Sequence, residues 1–253
     1  PVVQNTISCT PQIGGSYPMN GHYFFCGADT ARKQPMIDAA IAFMTAFPSV
    51  ASDLSAKGAN IYVFKDAIDD RVFHDGPKTL AEKMAIYTSY NTTLGETRMD
   101  LLAVPPYRRT MVYEGMPNGG VYPNTTATAI ATMQSTLFHE LGHEFDFSAS
   151  STYDSAQPSF GNLVERDQRF MTNTAVSPTA ASLRASYPRY YNPPGATPAG
   201  VKWVELFAEE VSIRAWNITN IGELTTSDPY TIKYFPCSAA YVKAKMANPS
   251  HYP

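Results

Sequence analysis

One stretch constrains this chain more than any other. Thr126 to Phe147 reads as a single long helix with two histidines one turn apart. Ile130, Met133, Leu137, Leu141 and Phe145 recur at intervals of three or four, which lays apolar side chains along one helix face. The same helix carries His139-Glu140-Leu141-Gly142-His143. Residues at i and i+4 share a face, so the two imidazoles project side by side.

Imidazoles so placed reach one ion at about 2.0–2.1 Å each. Glu140, one position on, stands beside such an ion without binding it, where a general base is needed. The pattern H-E-x-x-H marks zinc hydrolase centres, and chance places it in a chain of this length and composition at roughly 0.4%. A catalytic zinc takes three protein ligands and keeps a fourth position open. The longer H-E-x-x-H-x-x-G-x-x-H pattern is absent, with Asp146 and Ala149 where its glycine and third histidine would stand. The third ligand is therefore expected to be a downstream carboxylate. Glu205 is preferred, in Trp203-Val204-Glu205-Leu206-Phe207-Ala208-Glu209-Glu210. Glu209, one turn later on the same face, is expected to take the spare N–H of a liganding histidine. Asp154 and Glu165 are the rival ligands.

The rest of the chain is read from its periodicity. Residues 35–47 predict a helix with Pro35 in its first turn, stopped by Pro48. A short helix is expected from Ser49 to Lys57, with Gly58 at its end. Asn60 to Lys65, Arg98 to Val104 and Arg109 to Glu114 predict strands. Short helices and loops are expected over 148–198, a helix from Gly200 to Trp216, and another from Pro236 to Met246. This order gives an α+β plan with two lobes in one domain spanning 1–253. The lobe of residues 1–147 holds a small mixed sheet and the active-site helix. The lobe of 148–253 is mainly helical and loop-rich and holds Glu205. Arg109–Glu114 is the strand expected to align an extended peptide by its edge.

Charge and cysteine narrow the partners. The net charge is −3, and Lys and Arg are scattered, so no basic stripe is available for nucleic acid. The densest pair, Arg108-Arg109, reads as solvated surface. No apolar run approaches the length of a membrane span, so no membrane partner is expected. Of three cysteines, Cys9 and Cys26 form the preferred bridge, leaving Cys237 over; pairing with Cys237 would instead tie the two ends of the chain together. Sequons begin at Asn91, Asn124 and Asn217, although Asn124 also suits a helix cap. With a start at Pro1, they favour a processed product of a eukaryotic secretory route that can carry N-glycans at these sites; a monomer is expected.

His139-Glu140-Leu141-Gly142-His143-Glu144-Phe145-Asp146, followed by Glu205-Leu206-Phe207-Ala208-Glu209, resembles the catalytic domain of anthrax lethal factor and the related Pro-Pro endopeptidases. The resemblance covers residues 126–216; nothing in 1–125 takes part. It implies a zincin fold with His139, His143 and Glu205 on Zn²⁺, Glu140 as base, and Glu209 and Asp146 as supports. It implies a peptide or protein substrate. The family places a tyrosine seven residues before the liganding glutamate, where this chain has Pro198. Tyr191 is the preferred substitute, then Tyr190, with Tyr187 also upstream, as donor to an oxyanion. The alternative is a secreted binding or toxin module with the same fold and an idle site.

Overall fold

Alternation along three strands builds a sheet with two different faces. In β2 (Tyr23–Cys26), β3 (Ala59–Phe64) and β5 (Tyr107–Tyr113), residues such as Tyr23, Phe25, Ile61, Val63 and Val112 join the main core. Their neighbours Cys26, Phe64, Met111 and Tyr113 form a smaller apolar cluster. This period of two sends successive side chains to opposite faces. With β1 (Cys9–Pro11) and β4 (Gly95–Asp100), the five strands run in the order β1-β2-β3-β5-β4. The three central strands are parallel, and both outer strands are antiparallel to their neighbours. A disulfide joins Cys9 to Cys26 across the β1–β2 pair. The computed structural model describes residues 7–91, 93–100, 102–104, 106–115, 127–147, 153–172, 203–219 and 235–250.

Helices cover both faces, giving the α+β class. On the main core face lie α1 (Thr30–Ala46), α2 (Pro48–Ala56) and α5 (Ala127–Asp146). On the other side lie α3 (Ala67–Asp75) and α4 (Leu80–Ser89). The later helices α6 (Pro158–Thr172), α7 (Val204–Thr219) and α8 (Pro236–Ala247) pack with one another, and α7 lies along α5. Helix α5 is the hub. Met133, Leu137, Phe138, Leu141 and Phe145 are almost fully buried, each adding about 1.5–3 kcal/mol of apolar burial.

Several sequence expectations need correction. Helix α1 starts a turn and a half earlier than Pro35, because the Asp29 carboxylate accepts the Ala31 N–H and caps it. Pro35 therefore sits inside the helix. Helices α3 and α4 were not anticipated, and α6 is longer than the short helices expected there. The segment Arg109–Glu114 forms most of β5, which is hydrogen-bonded to β3 and β4 on its two sides. It has no free edge to offer, and β4 is the edge strand on that side of the sheet among the described residues. Arg108 is buried, not surface, and its guanidinium reaches Glu144 at 3.4 Å and the Phe147 carbonyl at 3.3 Å. That contact ties the end of α5 to β5.

The far face of β4 is anchored by buried charge. Asp70 on α3 has no exposed surface and receives Arg98 Nη2 at 2.5 and 2.6 Å, Tyr113 Oη at 2.8 Å and His74 Nδ1 at 2.6 Å. Burial by itself would raise the pKa of this carboxyl, but the bonds from His74, Arg98 and Tyr113 outweigh it and hold it below the ordinary range. A depressed folded pKa gives stability that is present above the unfolded value and lost as pH falls through the folded one. Asp70→Asn should therefore cost about 3–5 kcal/mol at neutral pH by removing the buried carboxylate that the Arg98 guanidinium holds, with only the longer 3.8 Å contact to Glu96 left to Arg98. In urea denaturation the gap between the two proteins should narrow below about pH 4. A gap that stays constant down to acid pH contradicts the assignment.

Candidate metal centre

Gly142 lets two helices meet. A Cβ built there would fall 2.6 Å from the Cα and 2.8 Å from the carbonyl oxygen of Ala208. No side chain fits between α5 and α7 at this point, so the backbones approach closely. Phe207, Ala208 and Val211 on α7 are buried against the core. That orientation leaves Glu205 and Glu209 facing the two histidines.

The side chains then converge. His139 Nε2 lies 3.3 Å from Glu205 Oε2, and His143 Nε2 lies 3.6 Å from Glu205 Oε1. One ligand atom from each of the three residues can be chosen so that all lie within 4.8 Å of one another. The imidazole rings are perpendicular, with centroids 4.7 Å apart. His139 Nδ1 pairs with Glu209 Oε2 at 3.1 Å, which fixes the ring and aims Nε2 at the common point.

The separations run to two different oxygens of Glu205 and can be set against those that one shared ion would require. Ligands at zinc distances in a tetrahedron stand about 3.4 Å apart. At 3.6 Å the His143–Glu205 separation is too long for a hydrogen bond, yet it fits an edge of that tetrahedron. Two nitrogens and one carboxylate are also the donor set of several catalytic zinc sites.

Without an ion the two imidazoles diverge. Burial would lower the His139 pKa, but hydrogen bonds to Glu205 and Glu209 outweigh it and carry it up to about 10. Burial and the neighbouring His139 push His143 down to about 3. Glu140 is itself raised to about 7, chiefly by burial, with His139 and Thr97 opposing the rise. A divalent cation would displace the proton from His139 and leave Glu140 as the titratable group beside it.

The site opens into a cleft of about 400 Å³ lined by Leu94, Gly95, Thr132, Thr136, Glu140 and Glu205, among others. Gly95 begins β4, so the edge strand forms one wall, α5 the floor and α7 the opposite wall. Thr97, two residues on, places its Oγ1 2.9 Å from Glu140 Oε2. The sequence reading missed Gly95 and Thr97. Their signal was the i, i+2 spacing on one strand face, hidden because the strand was started at Arg98.

The remaining expected residues lie elsewhere. Asp146 is buried, and its carboxylate takes the Ser155 N–H at 2.7 Å and hydroxyl at 2.5 Å. It ties the end of α5 to the short 3-10 turn at Asp154–Ala156 and does not support the histidines directly. Asp154 pairs with Lys245 at 3.0 Å, and Glu165 pairs with Arg169 on the exposed side of α6. Neither rival carboxylate joins the cluster. Tyr187, Tyr190, Tyr191 and Asn124 lie outside the described residues. Asn91 is exposed beyond α4, and Asn217 lies in α7. No protein-family model matches this chain, and no curated protein or solved structure matches it either.

Gly142→Ala tests the helix contact. On helix propensity alone, alanine would gain up to about 1 kcal/mol. The contact with Ala208 reverses the sign, and the variant should lose about 1–3 kcal/mol in denaturant titration. A more stable variant contradicts this geometry.

Proposed function

We propose that the chain is a secreted zinc-dependent endopeptidase of the zincin type with a glutamate third ligand. The observation that carries this reading is the convergence of His139, His143 and Glu205, with Glu140 beside them in an open cleft. The two-lobed arrangement belongs to the same proposal: α5 and β4 on one side of the cleft, α7 and the later helices on the other.

His139, His143 and Glu205 hold the ion, and Glu209 keeps His139 in the liganding tautomer. Zinc bound there would supply a Lewis acid and activate a water for attack near neutral pH. Glu140 takes a proton from the attacking water and returns it to the leaving amine. The peptide lies along β4, whose outer side meets no other strand among the described residues. Strand addition there orients the scissile bond over Glu140. Tyr191, or Tyr190 beside it, is the proposed donor to the oxyanion. The Cys9–Cys26 bridge and the three sequons suit an oxidising, glycosylating export route.

Glu140→Gln should keep one zinc per chain while peptide-library cleavage falls by about 10³-fold or more. A chelator should abolish cleavage by the native protein, and added zinc should restore it. Undiminished cleavage by the Gln variant contradicts the assigned base. Bound zinc with no cleavage of any peptide by the native protein supports an idle binding module instead.

A further inference from the structure

Strand β4 is engaged on both faces at once. Glu96 and Arg98 point away from the cleft. Arg98 Nη2 reaches the Asp70 carboxylate at 2.5 and 2.6 Å, and Arg71 Nη2 reaches Glu96 at 2.9 and 3.1 Å. These bonds tie the strand to α3. Gly95 and Thr97 point toward α5. A Cβ at Gly95 would fall 2.6 Å from Thr136 Cγ2 and 2.8 Å from Glu140 Cγ, so the strand lies directly against the base. Only glycine permits that approach.

Thr97 uses the closeness. Its Oγ1 lies 2.9 Å from Glu140 Oε2 and 2.9 Å from the Glu140 carbonyl oxygen. A hydroxyl has one hydrogen to give. The carbonyl lies in mid-helix, where the backbone ladder already supplies a donor. The carboxylate is the charged acceptor and takes the stronger bond.

We propose that Thr97 is a positioning residue for Glu140: its hydroxyl holds Oε2 in place, so that Oε1 serves the proton transfer. Glu140 is then fixed from outside its own helix by the strand that also aligns the peptide. Movement of β4 moves the base with it. A glutamate side chain has three torsions to settle, and a base displaced by about 1 Å costs on the order of 10²-fold in rate. The kinetic part of this inference rests on the endopeptidase reading; the structural part does not.

The test compares Thr97→Val, which keeps the branched shape and removes the donor, with Thr97→Ser, which keeps the donor. Peptide cleavage, zinc content and crystal structures of the metal-free proteins are measured for each. In Thr97→Val, kcat should fall about 10- to 100-fold, with KM within about twofold and zinc content unchanged. Thr97→Ser should restore kcat to within about threefold of the native value. The Glu140 carboxylate should leave its single orientation in the valine variant and keep it in the serine one. Thr97→Ala carries the same expectation should the valine variant fail to fold. Native kcat in the valine variant, equal losses in valine and serine, or an unmoved Glu140 carboxylate overturns the proposal. If the native protein binds zinc and cleaves nothing, the endopeptidase reading fails, and the carboxylate orientation alone decides the role of Thr97.

Discussion

Two helix backbones in contact at Gly142 and Ala208 set the geometry on which the rest depends. A helix pair separated by ordinary side chains stands about 8–10 Å apart. A glycine on the buried side of α5 lets α7 come in to backbone contact. Glu205 and Glu209 flank Ala208 on α7, and His139 and His143 flank Gly142 on α5. Close approach at the centre therefore makes the two acidic and two imidazole groups meet. The glycine inside the motif has no metal chemistry of its own; its part is to let the neighbouring helix in.

The electrostatics of the cluster follow from that meeting. Three carboxylates, Glu140, Glu205 and Glu209, surround two imidazoles in a partly buried cleft. His139 is drawn toward its charged form by two of them, while His143 is kept neutral by burial and by His139. One proton thus meets part of a negative field that a dication would meet more fully. Burial of charge on this scale needs compensation, and the surrounding fold supplies it at a distance. Arg108 neutralises Glu144 at the end of α5, and Arg98 and Asp70 close a separate network behind β4. Neither network touches the cluster of His139, His143 and Glu205. Both hold the elements that form it.

Local chemistry was legible in the sequence. The i, i+4 histidines and the apolar face of α5 need only helical periodicity. Glu205 and Glu209 were found the same way, one turn apart on a second helix. Gly58, with φ of 72°, ends α2 as expected. What escaped was pairing between distant segments. Nothing in Arg109–Glu114 says whether one or both of its sides are bonded; that depends on β3 and β4, far apart in the chain. Arg108 looked like surface because its partner Glu144 is brought in by the fold alone. Other misses were avoidable. Asp66 accepts the N–H groups of Ile68 and Asp69, and Thr79 and Glu82 form a reciprocal capping box. Both are readable starts for α3 and α4. The bridge partner of Cys9 was a preference between two options, which the β1–β2 register settles by placing Cys9 opposite Cys26.

The central claim is that His139, His143 and Glu205 hold one ion. Anomalous diffraction at the zinc edge, on crystals of the protein grown with zinc, tests it directly. The account predicts one peak per chain at about 2.0–2.2 Å from both Nε2 atoms and a Glu205 oxygen. Its contradiction is a cleft without a peak, in which a protonated His139 bridges Glu205 and Glu209 and His143 stands apart.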